Sequence, residues 1–142
     1  MATQDLTKVA GEYVDAFNAA DWQRFKATLA PDIVYEEAGT QRRIQGVEEY
    51  VQLCQGWKQA FPDATGTIMQ ALAGDNLVAQ EVAWEGTHSG PLVGPAGTIP
   101  ASGRRVVSPA TLWITFQGDK VKEVHHHLDL MGLLQQIGAL PQ

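Results

Sequence analysis

The chain has 142 residues, 44% hydrophobic and 18% charged, with a formal net charge of −6. Such values belong to an ordinary globular domain and exclude a disordered or low-complexity chain. Nucleic-acid binding needs a concentrated positive face, and Arg42-Arg43 and Arg104-Arg105 are isolated pairs, so no nucleic-acid partner is expected. The length fits one domain over residues 1–142, with a core that needs neither disulfides nor metal. Cys54 has no second cysteine to pair with, no apolar run approaches membrane-spanning length, and the N-terminal residues lack a basic-then-apolar signal pattern. A cytoplasmic protein without membrane association is the expectation.

Leu6, Val9, Ala10, Tyr13 and Phe17 recur at three- and four-residue steps and predict a first helix, with Thr3 or Asp5 as its cap. Asp21 caps a shorter second helix carrying Trp22, Phe25 and Leu29 on its inner face, ended by Pro31-Asp32. Residues 33–38 read as a short strand. Gly46 opens a third helix that buries Val47, Tyr50, Val51, Cys54, Trp57 and Phe61, and Pro62-Asp63 stops it.

Thr65–Ala73, Leu77–His88, Arg104–Phe116 and Val121–Asp129 are extended segments rich in Val, Ile, Thr and Trp. Gly74-Asp75-Asn76 and Gln117-Gly118-Asp119 are tight-turn signals, so neighbours should pair as antiparallel hairpins. Pro109 has no N–H for a ladder and predicts a bulge or an edge nearby. Residues 89–103, with three prolines (Pro91, Pro95, Pro100), read as a longer loop, and residues 131–137 as a closing helical turn. Helices followed by an antiparallel meander make an α+β fold, and a strongly bent sheet under helices leaves room for one pocket.

Asp119-Lys120-Val121-Lys122-Glu123 followed by Gly132-Leu133-Leu134-Gln135-Gln136-Ile137-Gly138 resembles the SnoaL-like polyketide cyclases. So do Phe61-Pro62-Asp63, Gly86-Thr87-His88-Ser89-Gly90 and Ser102-Gly103-Arg104, in the family's order and approximate spacing. The resemblance implies the cone-shaped fold of the nuclear transport factor 2-like superfamily: a curved mixed or antiparallel sheet with the N-terminal helices on its concave side. It also implies a homodimer, a hydrophobic small-molecule substrate or ligand, and no metal or organic cofactor. In the family's cyclases an acidic residue of the last strand moves a proton during intramolecular aldol closure. Counted back from Gly132, that position falls on His126.

A strand sends alternate side chains to opposite faces. Val124, His126 and Leu128 form the more apolar set and are assigned to the pocket; His125, His127 and Asp129 form the other. An imidazole accepts and donates protons near neutrality, so His126 is a candidate acid/base; a histidine hydrogen-bonded for structure is the alternative. Asp129 stands where a cap for the final helix is expected. His125, His127 and Asp129 alternate as metal ligands sometimes do, but a solvent-facing or partner-facing row is the commoner arrangement, and no metal is predicted.

Tyr35 and Glu37 share a face of the first strand. Glu37 must be protonated, hydrogen-bonded or near the mouth if it is buried; it can hold His126 in one tautomer or act as a second acid/base, with rim exposure the alternative. Val78, Gln80, Val82, Trp84 and His88 form the inward row of their strand, since Glu81 and Glu85 favour solvent. Trp84 then offers a flat wall for an aromatic or polycyclic ligand, or else simply packs in the core, and His88 sits near the entrance or is an incidental loop histidine. Ser108, Ala110, Leu112, Ile114 and Phe116 form the inner row of the following strand, and Trp57 covers the pocket from the helical side, or else simply packs. The candidate site is therefore His126 as catalyst with Tyr35, Glu37, Trp57, Gln80, Val82, Trp84, His88, Leu112, Ile114 and Leu128 around the substrate.

The leading function is cofactor-independent acid/base catalysis, an aldol cyclisation or isomerisation of a hydrophobic carbonyl compound, with Tyr35 or Glu37 bonding a substrate oxygen. Epoxide hydrolysis on the same fold uses an Asp-Arg-Asp arrangement, whereas Leu77–His88 has no arginine and the last-strand acid is replaced here, so that reaction is not expected. A non-catalytic small-molecule binder remains the alternative.

Overall fold

The structure is a computed structural model and describes residues 5–94 and 97–140. Helix α1 (Leu6–Asn18) starts at Asp5, whose side chain accepts from Lys8 N; Thr3, the other candidate cap, lies outside the described residues. Asp21 caps α2 (Trp22–Ala27) by accepting from Arg24 N. The helix ends earlier than its sequence pattern suggests. Thr28 turns its hydroxyl back onto Phe25 O (2.7 Å), and Leu29 is the first residue of strand β1 (Leu29–Ala38), not a helical residue. Pairing decides this: Val121 N donates to Thr28 O and Leu29 is the register partner of Val121. Pro31 is tolerated because the register slips between Leu29 and Val34, where its missing donor is not called on.

Strand β2 (Arg42–Gln45) is too short and polar to be read from the sequence. It hairpins onto β1 through a turn that includes Gly39 at φ +95°. Helix α3 (Val47–Ala60) follows Gly46 and ends at Phe61, which is buried just past the helix rather than within it. Strands β3 (Thr65–Ala73), β4 (Leu77–Thr87), β7 (Arg105–Gln117) and β8 (Lys120–Leu128) come close to their expected bounds. Residues 89–103 contain a small hairpin, β5 (Leu92–Gly94) with β6 (Gly97–Ile99), in place of a plain loop; Pro95 lies outside the described residues. Helix α4 (Leu130–Gln136) is capped by Asp129, which accepts from Gly132 N.

The main sheet runs β2-β1-β8-β7-β4-β3. All neighbours are antiparallel except β1 and β8, which are parallel. The helices pack on one side of it, over the alternate buried rows of β4, β7 and β8. Pro109 sits inside a central strand without a bulge of its own, paired with Ala83. The last β7–β8 pair is Ala110 with Leu128, and Val107 gives both backbone groups to the Gln136 side chain. Backbone direction repeats every second residue, so Pro109 nitrogen faces the same side, where β8 has already ended. No helix among the described residues is long and apolar enough to cross a membrane.

Candidate functional site

Between the helices and the sheet lies a cavity of about 110 Å³ with a nearly apolar wall. Helices α1 to α3 contribute Tyr13, Val14, Phe17, Phe25, Tyr50, Leu53, Cys54 and Trp57. The sheet contributes Tyr35 from β1, Trp84 from β4, Ser108 and Leu112 from β7, and His126 and Leu128 from β8. Leu53, Trp57 and Leu128 are half-buried and Glu85 is exposed, which marks the opening; Phe61, Val106 and Leu133 close the wall on that side. Burial of Tyr13, Tyr50 and Cys54 raises their pKa values, so all three are neutral.

His126 is the polar centre of the wall. Its Nε2 is 3.2 Å from Trp84 Nε1 and its Nδ1 is 2.7 Å from the Tyr35 hydroxyl. An indole N–H can only donate, so Nε2 accepts and the imidazole proton sits on Nδ1. Nδ1–H then donates to the Tyr35 oxygen, and the Tyr35 hydroxyl donates to Glu37 Oε2 at 2.6 Å. Behind it, Glu37 Oε1 accepts from Thr40 Oγ1 (2.7 Å) and from Arg42 Nε and Nη2 (3.0 and 2.8 Å). Both Glu37 oxygens, the Tyr35 hydroxyl and both His126 nitrogens have partners in this relay, and its two ends determine the tautomer of His126.

The electrostatics follow from this wiring. Burial holds the His126 pKa down to about 4, against the attraction of Glu37 and with a small push from His127. Burial also pushes the Glu37 carboxyl up, but the bonds from Tyr35 and Thr40 and the nearby Arg42 charge outweigh it, and its pKa falls below the usual value. The site therefore holds a neutral imidazole in front of a buried carboxylate.

Of the residues expected around the substrate, Tyr35, Trp57, Trp84, Leu112, Leu128 and His126 face the cavity. Glu37 stands behind Tyr35 with its side chain fully buried, outside the wall and away from the rim. Gln80, Val82 and Ile114 point to the helical side as expected but are buried in the core beyond the cavity. His88 is not at an entrance: it is fully buried against Phe61, and its Nδ1 accepts from Ser102 N (3.1 Å).

Among residues the sequence reading placed in the helical core, Tyr13, Phe17, Phe25 and Tyr50 also form cavity wall. Arg42 is legible in the sequence only as half of a basic pair because β2 is not, although an arginine five residues from an acid is a usable signal for the ion pair with Glu37.

On the opposite face of the sheet, His125, His127 and Asp129 do not converge, since Asp129 is spent on its cap. His125 instead joins Glu123 (2.6 Å) and Glu36 (3.7 Å), three groups with the donor types of a divalent-cation site, half-buried, with Arg43 on Glu36.

Fold and cavity together define an α+β pocket protein of the nuclear transport factor 2-like class. The chain belongs to the SnoaL-like polyketide cyclase family, whose model matches residues 7–137. It is similar in structure to a proposed SnoaL-like polyketide cyclase from Jannaschia sp. CCS1, with TM-score 0.85 and 19% identity over 96% of this chain and 93% of that one. It is also similar to AclR, a proposed hydroxylase from Streptomyces galilaeus, with TM-score 0.82 and 25% identity over 99% and 89%. A third relative is IdmH, a proposed polyketide cyclase from Streptomyces antibioticus, with TM-score 0.81 and 23% identity over 95% and 99%. No curated relative matches the sequence.

Proposed function

We propose that this protein is a cofactor-independent acid/base enzyme that cyclises or isomerises a hydrophobic carbonyl compound, with His126 as the acid/base. The observation that carries the reading is a neutral imidazole on an apolar cavity wall, its Nδ1–H backed by Tyr35 and the Glu37 carboxylate. Substrate binds with a Cα–H directed at Nε2. That bond breaks, the proton passes to Nε2, and the electron pair moves into the carbonyl as an enolate. The enolate carbon then attacks a second carbonyl of the same molecule, whose π pair moves onto its oxygen and takes the proton back from Nε2, or the enolate is reprotonated at another carbon by the imidazolium.

Two features suit this chemistry. The imidazolium is stabilised through Tyr35 by Glu37, and their buried, nearly apolar setting makes that interaction stronger than it would be in solution. A base with a pKa near 4 abstracts α-protons well only where the site also stabilises the enolate or the C–H is doubly activated. A methylene between two carbonyls, as in a polyketide ester, meets that condition. Trp57, Trp84, Leu112 and Leu128 provide the walls that hold such a substrate in register, and orientation supplies a large share of the acceleration.

In this reading Tyr35, bonded to both His126 and Glu37, and Glu37 behind it act as positioning residues behind the imidazole rather than as partners of a substrate oxygen.

A non-catalytic binder is the second reading, and one observation favours it: both His126 nitrogens already have partners, as in a purely structural histidine. Deuterium uptake at C1 of 2-tetralone, a bicyclic aromatic ketone, separates the two. The enzyme reading expects uptake in D2O to be accelerated by the wild type and lost in His126→Ala. Binding of 2-tetralone with no acceleration by the wild type would leave a carrier.

A further inference from the structure

If Tyr35 and Glu37 are engaged elsewhere, the enolate oxygen of the proposed reaction needs another donor in a cavity that is otherwise nearly apolar. We infer that the Trp84 indole N–H is that donor, so that Trp84 is a catalytic residue and not only a wall. This rests on the acid/base reading of His126 and extends it.

Trp84 Nε1 and His126 Nε2 form a donor and an acceptor 3.2 Å apart, and both residues line the cavity. A carbonyl and its neighbouring C–H present the complementary pair, an acceptor oxygen and a transferable proton two carbons apart. When the C–H engages Nε2, Trp84 loses its resting acceptor and the substrate oxygen takes its place. The exchange preserves the hydrogen-bond count, so desolvating the indole N–H carries no separate penalty. As the Cα–H bond breaks and the proton moves to Nε2, the former carbonyl oxygen gains negative charge, and the N–H already points at it. The N–H bond of Trp84 stays intact throughout.

The indole is held in this pose by residues of α1 and β3. Trp84 pairs across strands with Gly66, and its six-membered ring lies where a side chain at 66 would be: an added Cβ would come 2.5 Å from Cζ3 and 2.8 Å from Cε3. Asn18, at the end of α1, grips Gly66 by both backbone groups, accepting from its N at 2.8 Å and donating to its O at 2.9 Å. Phe17 closes edge-on against the indole with centroids 5.3 Å apart. A tryptophan that only filled space would not need its pyrrole edge aimed at the imidazole; this seat aims it there.

The test uses Trp84→Phe, which keeps an aromatic wall and removes the N–H. Two probes report on it: C1 deuterium exchange of 2-tetralone, and binding of 2-naphthol, the aromatic counterpart of its enol. The expectation is a roughly 10²-fold slower exchange with about tenfold weaker naphthol binding, in a variant whose thermal unfolding remains cooperative. In the wild type, the Trp84 indole proton resonance should move on naphthol addition. That arm decides the matter if Trp84→Phe does not fold.

Gly66→Ala, which keeps the N–H but crowds its ring, should slow exchange by a smaller factor. If Trp84→Phe exchanges and binds naphthol like the wild type while His126→Ala is inactive, the donor role is overturned and the base survives. If Trp84→Phe is slow but His126→Ala is not, the base is overturned and the donor survives. Wild-type rates in both variants, or a wild type that neither exchanges tetralone nor binds naphthol, overturn both.

Discussion

Tyr35 and His126 lie 91 positions apart in the chain, yet the hydroxyl of one is 2.7 Å from Nδ1 of the other. Parallel pairing of β1 with β8 makes this meeting, with Tyr35 opposite Val124 and Glu37 opposite His126. The tyrosine passes the influence of a buried carboxylate to the imidazole without letting the two touch.

Removing the hydroxyl should therefore alter His126 from its Nδ1 side. Tyr35→Phe leaves Nδ1–H and one Glu37 oxygen without their partner in a buried setting, at about 1–3 kcal/mol. Urea unfolding should show that loss. Long-range 15N–1H spectra should show the Nδ1–H tautomer in the wild type and a mixture in the variant. A variant with an unchanged tautomer would contradict the wiring described above.

The buried ion pair makes a second case. Arg42→Ala leaves the Glu37 carboxylate buried without its cation, and breaking such a pair typically costs about 3–5 kcal/mol. The Arg42 side chain is 19% exposed, so the lower end is expected. Adding Glu37→Gln to Arg42→Ala should restore part of the loss, because the uncompensated charge is gone. Chemical denaturation of the two single variants and the double variant measures the coupling.

Acid should weaken the fold through His126. Its pKa is about 4 in the folded chain against an ordinary 6.5, so between those values the unfolded chain binds more protons and stability falls as pH drops. The effect is absent above the ordinary value and complete below the folded one. It amounts to about 2 kcal/mol between pH 7.5 and pH 5. His88, whose pKa burial also lowers, adds to it. Glu37 does not enter this window, since its contribution is lost only as pH falls below its ordinary value of 4.5 and through a still lower folded one. Urea unfolding at the two pH values should show the drop in the wild type and a smaller one in His126→Gln.

A fourth outcome concerns the chain where it leaves β4. A Cβ on Gly90 would lie 1.9 Å from the backbone oxygen of Gln59, which closes α3 and cannot swing aside as a side chain does. Gly90→Ala should destabilise by about 3 kcal/mol, seen as a lower melting temperature with no change in cavity residues. An unperturbed melting temperature would mean that the loop relaxes freely.

Much of the site was legible because its signals are local. Period-two alternation in residues 124–128 separates His126 from His125 and His127, and the strand indeed buries the first and leaves His127 exposed. The same logic placed Trp84 and Leu112 on the helical side, and capping chemistry placed Asp129. Alternation says which face a residue takes but not how far along that face the cavity extends. Gln80, Val82 and Ile114 share the inward rows yet lie in solid core.

The amino-acid order by itself settled which side chains face inward, since a strand's side-chain direction depends only on neighbouring backbone geometry. Tertiary structure decided what those side chains meet. Arg42 reaches Glu37 because a four-residue strand with no pattern of its own is held by pairing with β1. The His126 imidazole is neutral and held in a single tautomer because Tyr35 and Trp84, from strands remote in sequence, arrive on its two nitrogens. The two contacts of His126 depend on strand register across the sheet, a property of long-range pairing energies that no local spacing encodes.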